Sequence, residues 1–371
     1  MTTGQGPQIQ PRPSIRKLPA YNAGISVAAA RMASGRDQIA ALASNENPYG
    51  SAPGVALALA ALATARYSDS ASVRLREALA ARLQVGAERL VCGNGSEELI
   101  AATARAYLGE GDRVLTVSPC FGLHEIEPLA AGADVVKVPM TVDFCFDVDR
   151  LVTELASAPK IFFLATPSNP VGVALKRAEL DRLIAAARPE TLLVLDEAYL
   201  EFLDPDYPDG LELLKARPDL SWIVLRTFSK AYGLAGLRVG YGIASHDGIA
   251  RALRSALTPF NVNAAAQAAA VAALEDQAWM SDATARIRRD RQRLADRLAA
   301  LGLRVIPSQT NFLFVDVKTD AAEVAKALLA RGIIVKPWLE KGYTRFLRVS
   351  IGVPQDNDRF ATELADILAL S

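Results

Sequence analysis

Residues 160–199, "KIFFLATPSNPVGVALKRAELDRLIAAARPETLLVLDEAY", hold the pattern that decides the fold. Two apolar runs, KIFFLA at 160–165 and TLLVLD at 191–196, bracket a turn and a segment, RAELDRLIAAA, with helical spacing. A strand buried on both faces reads as a near-continuous apolar run, and two such strands joined through a helix lie parallel in one sheet. Working outward, the same texture recurs in RLVC (89–92), RVLTV (113–117), DVVKV (134–138) and WIVLR (222–226). Helical segments separate most of these runs. They include SEELIAATARAYL (96–108) and ASVRLREALAARL (71–83), the latter with Leu75, Leu79 and Leu83 on one stripe. The expected fold class is α/β, with a large domain built on a mostly parallel sheet sandwiched by helices.

Beyond about residue 245 the texture changes. An Ala/Arg-rich helical region, roughly 264–301, leads into RVIP, TNFLFVDV, GIIVKP and RFLRVSIG, with the helix AAEVAKALLA between the second and third. This predicts a smaller α+β domain at 264–371, after a large domain at 41–263 and a leader and arm at 1–40. The N-terminus, MTTGQGPQIQPRPS, lacks the apolar core of a signal peptide, and VALALAALATA from Val55 is too short to span a bilayer.

Lys+Arg and Asp+Glu stand at 41 each among 371 residues, so no global field favours nucleic acid or an anionic membrane. Any anion site must be local. Cys92, Cys120 and Cys145 lie far apart, which argues against a disulfide framework and suits a reducing cytoplasm. The two histidines, His124 and His246, are too isolated for a histidine-rich metal site and read as structural or surface residues.

In open α/β sheets ligands bind outside the C-terminal ends of the strands. After RLVC comes GNGSEE (93–98), where Gly93 and Gly95 permit a tight turn into a helix whose first N–H groups suit a phosphate, although such a turn also simply starts a helix. TLLVLD ends in Asp196, either an N-cap or a carboxylate aimed at a cationic ring nitrogen, with Tyr199 three residues on. Asn169, in ATPSNPVG, could donate to a ligand oxygen or close an Asx-turn.

RTFSKAYGLAGLRVGY (226–241) carries Arg226, Lys230 and Arg238 and no acid. Lysine, unlike arginine, can lose its proton and act as a nucleophile, and nearby cations with an apolar setting favour that loss. A lysine beside phosphate-binding cations can form a Schiff base with an aldehyde. Pyridoxal 5′-phosphate joins aldehyde, phosphate, ring nitrogen and phenolic oxygen in one molecule.

With these motifs in order, the sequence resembles the fold-type I, pyridoxal-phosphate-dependent aminotransferases, most of all the histidinol-phosphate aminotransferase branch. The resemblance runs from about residue 20 to the C-terminus through LASNENPYG (42–50), GNGSEE, TPSNPVG (166–172), LDEAYLEF (195–202), RTFSKAYGLAGLRVGY, TNFLFV (310–315) and LRVSIG (347–352). It implies the aspartate-aminotransferase-like fold. By that resemblance Lys230 would carry the cofactor as an aldimine and shuttle a proton between substrate Cα and cofactor C4′. Asp196 would pair with the ring nitrogen, Tyr199 and Asn169 would hold the phenolic oxygen, and Phe121 would stack on the ring. Gly95, Ser96, Thr227, Ser229 and Arg238 would meet the phosphate, and Arg226 is left to a structural role. Tyr67 would reach the partner subunit's site in a homodimer. Arg348 would clamp the substrate carboxylate, while Tyr21 of the arm and Lys336 would contact the rest of the substrate.

The implied reaction is ping-pong transfer from an amino donor to a 2-oxo acid, with histidinol phosphate and 2-oxoglutarate as the pair. Aromatic amino-acid transamination is the alternative, and decarboxylation of an amino-acid phosphate a more distant one. One departure bears on this choice. The branch commonly has arginine after the GIIV strand, whereas here Lys336 is followed by Trp338 in GIIVKPW.

Overall fold

The structure, a computed structural model, describes residues 9–18 and 24–370. Tyr21 lies outside the described residues. In chain order the strands are β1 (Ala40–Ala41), β2 (Leu90–Gly93), β3 (Arg113–Ser118), β4 (Asp134–Pro139), β5 (Ile161–Ala165), β6 (Leu192–Asp196) and β7 (Trp222–Thr227). They continue with β8 (Gly240–Ala244), β9 (Arg304–Ile306), β10 (Phe312–Asp316), β11 (Ile333–Ile334), β12 (Lys336–Pro337) and β13 (Phe346–Ser350).

Seven strands form the central sheet in the order β2-β8-β7-β6-β5-β3-β4. Pairings among β3 to β7 are parallel, as the apolar runs predict. Successive side chains of a strand point to opposite faces. Phe162, Leu164, Leu193 and Leu195 accordingly join one core cluster, and Ile161, Phe163, Leu192 and Val194 the other. Both faces are covered, so these strands need no polar alternation.

The exception is β8, which runs antiparallel to both β2 and β7. The sequence GYGIA gave no strand signal because its glycines lower β-propensity. They are there for close approach. A Cβ on Gly240 would stand 2.5 Å from Ser96 N, so only glycine lets β8 lie under the 93–96 turn.

A second, antiparallel sheet has the order β12-β13-β10-β9. GIIVKP supplies two strands to two sheets, since β11 pairs in parallel with β1 while β12 pairs with β13. Ala40 and Ala41 are thus laid against β11. The Ala/Arg-rich region divides into helices Ala264–Glu275 and Gln277–Ala300, with the Asp276 side chain accepting from Trp279 N to cap the second. Among the described residues no helix is long and apolar enough to cross a membrane.

Arg226 is buried within β7. Its Nε and Nη2 donate to Glu197 Oε2 at 2.9 and 2.8 Å, and Nη2 also to Asp209 Oδ1 at 2.7 Å. Burial alone would weaken this cation, but the Glu197 and Asp209 carboxylates outweigh it and hold the guanidinium above its ordinary pKa. Removing one member of a buried pair strands the other charge. Glu197→Ala should therefore cost about 3 kcal/mol of stability, measured by urea unfolding, near the low end for such pairs because Asp209 stays.

Candidate active site

The C-terminal ends of β2, β3, β5, β6 and β7 and the start of β8 meet at one edge, where the register sets Ala165 beside Asp196 and Thr227 beside Gly240. A cavity of about 590 Å³ opens there, closed on the far side by β12, β13 and residues 43–46. Lys230, Asp196, Tyr199, Asn169, Phe121, Gly95, Ser96, Thr227, Ser229, Arg238, Lys336 and Arg348 all line it. Tyr67 does not.

Lys230 follows β7, and its Nζ donates to Ser44 O at 3.0 Å. Burial, reinforced by the Arg348 guanidinium, pushes its ammonium down to about 8. Arg348, on β13, donates to Asn169 Oδ1 at 2.7 Å and to Ala43 O at 2.6 Å. Lys336 is its direct cross-strand partner. Burial and then that neighbouring guanidinium lower the Lys336 pKa.

At the end of β6, Asp196 is buried, with Oδ1 accepting from Ala198 N at 3.1 Å and Oδ2 lying 3.1 Å from His124 Nε2. His124 stacks on Phe163 at 5.2 Å between ring centroids and meets the edge of Phe121 at 5.7 Å. In sequence this histidine reads as a structural or surface residue, whereas it is buried against the acid that lines the cavity. His124 lies in the first turn of the helix Leu123–Ala131 and Phe121 precedes its N-cap, so no helical spacing in the sequence marks the pair. His246 is exposed.

Tyr199 OH accepts from Asn45 Nδ2 at 2.9 Å and Asn169 Nδ2 at 3.4 Å, and burial pushes its phenol up to about 12. Asn45 was not anticipated as a site residue. It adopts φ +55°, a conformation asparagine tolerates, and Ser350 Oγ donates to its Oδ1 at 2.9 Å.

The opposite end is cationic. Gly95, at φ +77°, precedes the helix Ser96–Tyr107, whose first N–H groups lack intrahelical partners. A Cβ on Gly95 would stand 2.5 Å from Arg238 Nη2, so the glycine also makes room for the guanidinium. Arg238 Nη1 donates to Ser229 Oγ at 3.4 Å, and Thr227 Oγ1 to the same oxygen at 3.1 Å. Glu97 Oε2 accepts from Arg238 Nη2 at 3.0 Å, a contact the motif GNGSEE did not disclose. Tyr67, 85% exposed, instead stacks on Phe260 at 4.7 Å and 22° outside the cavity.

An acid at one end, a guanidinium with hydroxyls and amide donors at the other, and a weakened amine beside the cavity suit a flat anionic ligand with a basic ring nitrogen.

Comparison with known proteins agrees with this arrangement. The chain is 42% identical over 362 residues to histidinol-phosphate aminotransferase 3 of Rhizobium meliloti (strain 1021), covering 97% of this chain and 98% of that protein. It superposes with TM-score 0.88 and 31% identity on the crystal structure of histidinol-phosphate aminotransferase from Sinorhizobium meliloti in complex with pyridoxal-5′-phosphate, over 96% of this chain and 97% of that one. A Thermus thermophilus aspartate aminotransferase double mutant, 24% identical, shares the fold at TM-score 0.83 over 97% of this chain and 100% of its own. Residues 37–364 match the family described as aminotransferase class I and II, and the chain belongs to that family.

Proposed function

We propose that the chain is a pyridoxal 5′-phosphate-dependent aminotransferase acting on histidinol phosphate and 2-oxoglutarate. The residues of the cavity fit the cofactor. The glycine turn and helix start at 93–96, with Thr227, Ser229 and Arg238, offer amide, hydroxyl and guanidinium donors for its phosphate. Asp196 is a buried acceptor for its ring N–H, Asn169 and Tyr199 suit its phenolic oxygen, and Phe121 offers a face for the ring. When bound, this group supplies an electron sink for the pair left as a proton departs from substrate Cα. Lys230 anchors the cofactor and, once released, takes that proton from Cα. Its pKa near 8 leaves a useful fraction neutral at physiological pH.

The observation that carries the substrate is the pair Lys336 and Arg348, facing each other across one rung of β12–β13 on the cavity wall. Like charges directly opposite destabilise a sheet. A phosphate monoester, with nearly two negative charges, relieves that repulsion better than a carboxylate does. The purified, cofactor-loaded protein should therefore convert histidinol phosphate to its keto form with glutamate appearing stoichiometrically. Activity on phenylalanine alone would overturn the phosphate assignment. Lys336 in place of a forked cation, with Trp338 beside it, is what favours that second reading, an aromatic amino-acid aminotransferase.

Arg348→Ala should raise KM for glutamate and lower kcat/KM about 10- to 100-fold, the range for losing a hydrogen bond to a charged group. An unaltered KM would remove Arg348 from carboxylate binding. We further take 41–263 as the cofactor-binding domain, 264–371 as the smaller one, and the cytoplasm as the compartment. Tyr67 and Phe260 present adjoining exposed rings, which supports a homodimer in which Tyr67 completes the second site.

A further inference from the structure

The cavity wall includes a turn that one carboxylate fastens to the central sheet. Glu340 follows β12, and its Oε2 accepts from the Trp338 indole Nε1 at 3.3 Å. Its Oε1 accepts from Ser118 Oγ, at the end of β3, at 2.8 Å, and lies 3.5 Å from Lys137 Nζ on β4. Lys137 is shared with Glu125 at 3.0 Å, and Tyr343 OH donates to Ser118 O at 3.3 Å. Segment 338–343 is therefore tied to β3 and β4 through side chains of the antiparallel unit.

Trp338 lines the cavity with Phe121 and Ile126. Its backbone N–H donates to Phe346 O at 2.9 Å, and its ring meets Phe314 edge-on at 6.3 Å and 86°. Those contacts leave the indole N–H to Glu340. The cavity lining also includes Ile25 and Leu339, which are 36% and 62% exposed and give it an apolar rim. A half-buried indole without a fixed partner samples several rotamers, and a wall that moves discriminates poorly.

We infer that Glu340 is a positioning residue that fixes the Trp338 ring as a wall of the substrate cavity, so that the site prefers amino donors with a flat, ring-bearing side chain. The inference rests on the aminotransferase reading above and not on the phosphate-bearing substrate. Ser118 and Lys137 hold the carboxylate, the carboxylate holds the indole, and the indole meets the substrate side chain.

The test compares kcat/KM for phenylalanine and for alanine as donors, with 2-oxoglutarate as acceptor, on the cofactor-loaded full chain. Glu340→Ala should lower the phenylalanine-to-alanine ratio about tenfold, chiefly through KM for phenylalanine, within the range one pocket contact supplies. Glu340→Gln keeps an oxygen acceptor for the indole and should restore the ratio to within about threefold of the parent. Trp338→Ala should reproduce the loss, and the double variant should lose no more than Trp338→Ala, as expected of residues acting through one contact. Ser118→Ala, which loosens Glu340 without removing it, should shift the ratio in the same direction and serves should Glu340→Ala fail to fold. An unchanged ratio in these variants, or additive losses in the double variant, would overturn the inference. Absence of any amino transfer by the parent protein would instead overturn the proposed function.

Discussion

Lys230→Ala is expected to stop steady-state amino transfer, lowering kcat about 10,000-fold, the upper end of what a positioned proton-transfer group supplies. Under the proposed function the lysine would do two jobs, anchoring the cofactor covalently and moving the Cα proton, so its removal should cost more than either alone. The other lysine among the lining residues, Lys336, lies on β12 opposite Arg348 rather than in the loop after β7, and should not substitute readily. Borohydride treatment of the loaded parent protein followed by peptide mapping should fix the cofactor at residue 230, and the variant should yield no adduct there. An adduct at a different lysine would sink the assignment. The lowered pKa gives an independent check on cofactor-free protein. Only the neutral amine attacks an aldehyde, so uptake at limiting cofactor should rise about tenfold per pH unit below 8 and level off above it. A lysine with an ordinary pKa near 10.4 would keep accelerating to about pH 10.

The parallel core was legible because strands buried on both faces have no choice but to be apolar throughout, and 160–199 shows two of them around one helix. The antiparallel β8 was not, because its glycines answer a close approach to Ser96 that exists only once the chain is folded. The same division holds in the cavity. Lys230, Asp196 and Arg238 stand at strand ends or in the loop after β7, where position alone suggests chemistry. Glu97, Asn45 and His124 act through partners 72 to 154 residues away in sequence, and Glu340 is anchored by Ser118, 222 residues away; nothing in a local window announces such a contact. The GIIVKP segment shows a further limit. Its short β-branched apolar run marks a strand, but the split between β11 and β12 depends on β1 arriving from the far N-terminal side.

Asp196→Asn should keep the fold and lower kcat about 100- to 10,000-fold. Removing one preorganised electrostatic partner from a water-excluded site costs about 100- to 1,000-fold in kcat, and exchanging a buried catalytic aspartate for asparagine up to about 10,000-fold. Asparagine is nearly isosteric, so its amide oxygen can still accept from Ala198 N, and β6 keeps its buried side chains. What disappears is the negative charge, now held in a setting with His124 at 3.1 Å and little access to water. Under the proposed function that charge would act on the ring nitrogen of the bound cofactor, where it would make the protonated, electron-withdrawing form the stable one. The phosphate end is untouched, so cofactor affinity should fall far less than kcat. A charge effect also predicts rescue. Loading the variant with N-methylated cofactor, whose ring nitrogen is permanently positive, should recover a large part of the loss, whereas a packing defect would leave it unrescued. His124→Phe should show a smaller loss of about tenfold, because it removes only the contact that orients the carboxylate. Asp196→Asn with kcat within about threefold of the parent would mean that the acid merely caps the chain after β6.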